Sequence, residues 1–214
     1  MKQNNLERAK DLLPAIILTV LSMIQALALE LLWSKIEGSE FLWQGGPEGI
    51  IGWLQLLVML CGVLLIWVMH VSFVLRFTWL PSLEDAILPF FIGLLEFIMI
   101  DLMGPEFLGI WFLLLAAVFS VTTAGSHLTM RQARRDPAND YFFSQVGEAN
   151  LGDYKGSIAV VIMLCSFGLL IWLSGNHAVL SIVALLIALA ALLFRFRQVK
   201  QYWMHSLVSD PADQ

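Results

Sequence analysis

Charge is scarce in this sequence. Asp, Glu, Lys and Arg make up 14% of its 214 residues, about half the share of an ordinary soluble domain. Lys and Arg number 12, too few and too scattered to form a surface for nucleic acid, so none is expected as a partner. Cysteine is nearly absent. Cys61 and Cys165 each stand in the middle of an apolar run and read as small packing residues, neither metal ligands nor a disulfide. The four histidines form no H-x-x-x-H, H-E-x-x-H or E-x-x-H pattern, which removes the usual helical metal sites. No phosphate-binding loop or dinucleotide fingerprint occurs. Ser126 and His127 are neighbours in sequence, and neighbours on a helix point about 100° apart, so they do not form a nucleophile and its base. The chain therefore offers no catalytic residue and no metal or cofactor site, and it does not read as an enzyme.

Hydrocarbon is what the sequence has in excess. Hydrophobic residues reach 59% and mean hydropathy is +0.79, more than a water-exposed fold can bury. A bilayer span takes roughly 20 apolar residues, and the chain divides into six such runs. The expected fold is all-α: an integral membrane protein of six transmembrane helices with both termini cytoplasmic. The expected layout is a leader at 1–11, spans one to four within 12–128, a cytoplasmic loop at 129–155, spans five and six within 156–194 and a cytoplasmic tail at 195–214. Pro14 is expected in the first turn of the first span, and 34–49 as an outer loop resting at headgroup level. The first apolar run is too long for a cleavable signal and reads as a retained span.

The basic residues set the orientation. With six spans and the N-terminus inside, the inner segments hold eleven Lys and Arg and the outer loops hold only Lys35. Removing any one span would put clusters such as Arg131, Arg134 and Arg135 on the wrong side of the positive-inside rule. The expected location is a bacterial-type inner membrane or a plasma membrane, with the lipid bilayer itself as the first partner.

The third span, Pro81 to Met103, is the unusual one. It carries Glu84, Asp85, Glu96 and Asp101. Asp85 and Glu96 are 11 residues apart, so on a helix they point within about 20° of each other, with Pro89 and Gly93 on or near the same face. Acids within a span face protein or water rather than lipid. Glu96 reads either as a cation or proton site, or as a neutral acid paired with Gln25, Gln55 or a hydroxyl. Asp85 and Glu84 also suit a helix start capped by Ser82. With Glu30 and Asp101, the two inner acids make a candidate ion pathway, and the acidic outer loops would favour cations at its mouth.

Other features are weaker. His70 and His127 are both expected near the inner surface and, with Asp85, form a candidate pH-sensing cluster. Arg131, Arg134 and Arg135 are candidate contacts for anionic lipid or a partner, and Tyr141, Phe142 and Phe143 could anchor the loop or dock a protein. Ser181, Ala184, Ala188 and Ala191 form a small-residue seam on the last span, which suggests association with further copies of the chain. MLCGVLLIW (from Met59) echoes MLCSFGLLIW (from Met163) three spans later, the spacing of an inverted repeat.

Two functions fit. One is a small, homo-oligomeric ion channel or pore with a cation-leaning acidic pathway through Glu96. The other is a non-conducting scaffold or sensor subunit that holds a cytoplasmic protein partner through 129–155.

Overall fold

A computed structural model describes residues 2–145, 154–175 and 177–207. These residues form seven helices: α1 (Lys2–Gly38), α2 (Gly46–Arg76), α3 (Leu83–Asp101), α4 (Leu108–Ala133), the short α5 (Asp140–Gln145), α6 (Lys155–Ser174) and α7 (Ala178–Leu207). Five of them are long and apolar enough to cross a bilayer: α1 from Glu7 onward, α2, α4, α6, and α7 as far as Lys200. The chain is a membrane-embedded helical protein. Its outer surface carries large apolar side chains such as Leu83, Phe90, Leu173 and Val179, as a surface solvated by acyl chains should.

The sixth expected span, α3, differs from the others. It has 19 residues, four of them acidic, and falls outside the set of low-charge apolar helices. It nevertheless lies in the bundle between α1 and α4. At 1.5 Å per residue it is about 28 Å long, close to the hydrocarbon thickness.

Contacts between helix ends fix the run of the chain. Lys10 near the start of α1 pairs with Asp136 after α4. The α2–α3 turn at Thr78 bonds Asn139 on the same side, and Arg195 in α7 reaches Ser157 at the start of α6. At the opposite end Lys35 donates to the Asp101 carbonyl, Gln55 accepts from Gly104, and Gly109 meets Trp172. The six long helices therefore alternate in direction. Lys10, Arg76, Arg131, Arg134, Arg135 and Arg195 gather at one end, and Lys35 lies at the other.

Several element boundaries move from their expected places. α1 starts at Lys2 and runs to Gly38, so the leader and the first part of the outer loop are helical. The reason is that apolarity marks the bilayer, whereas Lys, Glu, Arg and Leu continue a helix well in water. Pro14 therefore sits inside the helix, where it leaves the Lys10 carbonyl without its usual partner. The expected 34–49 loop shrinks to a 3₁₀ turn at Glu40–Leu42 and a glycine pair, with Gly45 at φ 72° before α2. α4 takes the first residues of the expected 129–155 loop, and the tail continues α7 to Leu207. Residues 146–153 and 208–214 of those two segments lie outside the described residues, as does Asn176, where a hairpin turn at 174–177 is expected between the last two spans.

Helix pairing follows small residues. A Cβ on Gly109 would lie 3.0 Å from the Gly168 carbonyl, and one on Gly168 would lie 2.8 Å from the Gly109 carbonyl, so α4 and α6 touch backbone to backbone. A Cβ on Gly93 would strike Ile24, which sets the close approach of α3 to α1. The small seam of α7 lies inside the chain, with Ser181, Ala184 and Ala188 buried and α2 as the principal partner of α7. That seam is used within the chain and is not a free face for further copies.

Candidate functional site

The buried face of α3 is the candidate site. Asp85, Pro89, Ile92, Gly93, Glu96, Met99 and Ile100 are all buried, the stripe that a helical period places on one side. Glu96 is 2% exposed and Gln25 of α1 is 4% exposed. Gln25 Nε2 donates to Glu96 Oε2 at 2.9 Å. Gly93 lies one turn before Glu96, and Ile24 precedes Gln25, so the glycine contact is what lets the amide reach the acid. The two outer atoms of the pair, Gln25 Oε1 and Glu96 Oε1, are buried and have no hydrogen-bond partner among the described residues.

The other acids separate from this pair. Asp85 is buried at the N-terminal end of the same face and closes a capping box: Ser82 N–H donates to Asp85 Oδ2 at 2.8 Å, and Asp85 N–H to Ser82 Oγ at 3.4 Å. Asp101 and Glu30 are exposed, because each lies five residues, or about 140°, from the buried partner on its own helix. The four acids thus do not line one continuous path in this bundle.

The histidines also separate. His70 Nδ1 lies 3.0 Å from the Ile66 carbonyl, which places a proton on Nδ1 and leaves Nε2 as the free nitrogen. His70 shares with Asp85, Trp79, Thr129 and Pro14 a cavity of about 20 Å³, room for about one water molecule. The Trp79 indole N–H is buried without a partner among the described residues. His127 faces α6 instead, where its Nδ1 bonds the Tyr154 hydroxyl. No group of three His, Cys, Asp or Glu side chains able to hold a metal occurs among the described residues. A second cavity, also about 20 Å³, is lined mainly by apolar residues between α4, α6 and α7. Neither cavity is a water-filled lumen.

The segment after α4 is ordered against the bundle as far as Gln145. Asn139 is buried and holds three backbone groups. Its Oδ1 accepts from Thr78 N–H at 3.1 Å, and its Nδ2 donates to the carbonyls of Thr78 at 2.6 Å and Ala133 at 2.7 Å. Beside it Phe77, Trp79, Ala133 and Phe143 form a small core with Phe142 packed on it. The Arg76 guanidinium lies 4.4 Å from the Phe142 ring centre, and that of Arg134 lies 4.6 Å from Phe143. Phe142 and Phe143 therefore dock on the chain's own α2–α3 turn, while Tyr141, Arg131 and Arg135 stay exposed. The Lys10 ammonium, hydrogen-bonded to Asp136, holds that carboxyl below the usual aspartate range. The Asn139 clamp escaped the sequence reading. Its only sequence trace is the turn-forming run Asp136-Pro137-Ala138-Asn139.

Compared with family models, with curated proteins and with solved structures, the chain matches none.

Proposed function

We propose that the protein handles ions in the membrane as a small, cation-leaning conduit. In this reading all six long helices span the bilayer, both termini are cytoplasmic, and the membrane is a bacterial inner membrane or a plasma membrane. The observation that carries it is Glu96. An acid held in the apolar middle of a bundle is costly and is a functional residue by default. Among the described residues it is met by one amide and no basic side chain. In this reading a path opens by movement of α3 against α1, or between copies of the chain. No catalytic role is part of the proposal.

The test is flux into liposomes from purified protein, wild type beside Glu96→Gln, with mass measured in detergent. Altered conductance or selectivity in a variant that still assembles supports the reading. Flux equal to that of empty vesicles from both proteins removes it. A second reading, a non-conducting scaffold or sensor subunit, is favoured by the ordered inner segment that presents Tyr141, Arg131 and Arg135. It expects no flux, and loss of a copurifying protein when 129–155 is replaced.

A further inference from the structure

We infer that Gln25 and Glu96 form a site for one proton, held as a carboxylic acid beside a carboxamide, and not a site for a metal cation. The inference deepens the ion-handling reading and rests on it for what the site is for.

The hydrogen-bond inventory carries the argument. An ionised carboxylate only accepts, and a glutamine amide offers one acceptor and two N–H donors. One N–H is used in the 2.9 Å contact to Glu96 Oε2. What remains is two buried oxygens, Glu96 Oε1 and Gln25 Oε1, with no donor among the described residues. Buried polar atoms are almost always paired. A single proton on the carboxyl supplies the donor this pair lacks, and it removes a charge that the surroundings do nothing to balance.

The conclusion does not depend on which way the amide is turned. If its oxygen faced Glu96 Oε2, two acceptors would meet, and the contact itself would require a proton between them.

The surroundings exclude a metal ion. One turn away on α3 are Ile92, Gly93, Met99 and Ile100, and one turn away on α1 are Leu21, Ser22, Ala28 and Leu29; none carries a charge, and the Ser22 hydroxyl is engaged by the Leu18 carbonyl and the Trp67 indole N–H. The pair offers three oxygens, whereas a hard cation takes six or more oxygen ligands. A proton needs neither room nor further ligands.

The experiment is infrared spectroscopy of the full chain in lipid nanodiscs at neutral pH, wild type minus Glu96→Gln, in H₂O and in D₂O. The expected result is a carbonyl band of a protonated carboxyl that shifts on deuteration, is lost in the variant, and is unchanged when choline replaces sodium or potassium. Carboxylate bands in its place, or an acid band that disappears on adding sodium, overturn the inference. If the variant does not fold, ¹³C-glutamate labelling of the unmutated protein reads the same band, and absence of any isotope-shifted acid band again overturns it. The outcome is independent of flux: liposomes that conduct nothing while the acid band is present remove the conduit and leave the proton site standing.

Discussion

Replacing Asn139 by alanine should release the segment after α4 from the bundle. The side chain makes three hydrogen bonds, two to Thr78 and one to the carbonyl of Ala133 at the end of α4. Each is worth about 1 kcal/mol net, and a buried group left unpaired costs more. Thr78 is half-buried, so water recovers part of the loss there. The balance is a local destabilisation of about 2–3 kcal/mol, which makes opening about 30- to 150-fold more frequent. Hydrogen-exchange mass spectrometry in nanodiscs reads this directly, in peptides covering 77–82 and 134–145. Asn139→Asp is the informative companion. It keeps an acceptor for the Thr78 N–H but sets a negative charge against two carbonyls, so it should protect no better than alanine. Peptides from the middle of α2 and α4 should not change in either variant. Exchange in 77–82 and 134–145 that stays within about threefold of wild type in both variants would refute the clamp, because the loss of even one net hydrogen bond exceeds that.

Four further outcomes follow from the packing and pairing of named residues. A double-mutant cycle with Gln25→Leu and Glu96→Leu, read from unfolding in detergent, should give a coupling of about 0.6–1.7 kcal/mol, the range of hydrogen bonds between membrane helices; about 3–5 kcal/mol would instead mark a buried charge that had lost its partner. Gly109→Val and Gly168→Val should each lower thermal stability, by about 2 kcal/mol or more, because the new side chain meets backbone rather than a movable side chain. Gly62→Ala, which meets nothing within 4 Å, should be neutral or gain up to about 1 kcal/mol from helix propensity. For Lys10–Asp136 the folded carboxyl titrates below its unfolded value, so its contribution is present above pH of about 4 and lost as pH falls through the folded value. The difference in thermal midpoint between wild type and Lys10→Met should therefore be constant near neutrality and vanish in acid.

The burial of Glu96 was legible in the sequence because helical period is local. Eleven residues separate it from Asp85, and both side chains face inward. Ser82 as the cap of α3 was legible for the same reason. The choice of partner for Glu96 was not. Gln25, Gln55 and several hydroxyls were equal candidates until the pairing of helices was known. α1 packs on α3, which delivers Gln25, while Gln55 turns to the Gly104 N–H. Likewise the aromatic run at 141–143 reads as an anchor, but its target, the chain's own Phe77 and Trp79, is 60 or more residues away in sequence. Hydropathy marks where a helix meets lipid and says little about where its backbone bonding ends, which is why α1, α4 and α7 all outrun their apolar runs.

Helix pairing within lipid has little hydrophobic drive, so packing and a few polar contacts decide it. The three main pairings in this bundle are decided differently. α4 and α6 meet through Gly109 and Gly168, and α2 and α7 meet along a seam that includes Ala184 and Ala188; neither arrangement has a state that depends on charge. α1 and α3 meet through Gly93 against Ile24 and, one turn on, through Gln25 and Glu96. Only this seam sets a carboxyl at the heart of a close contact. Ionising Glu96 would place a charge between two helices with one amide to meet it, and the nearest relief is separation of α3 from α1 far enough to admit water. The seam that joins these two helices is thus also the seam that a change in protonation would part. A conduit opened in that way should show its acid-dependent step abolished in Glu96→Gln, whose neutral side chain keeps the helices closed at every pH.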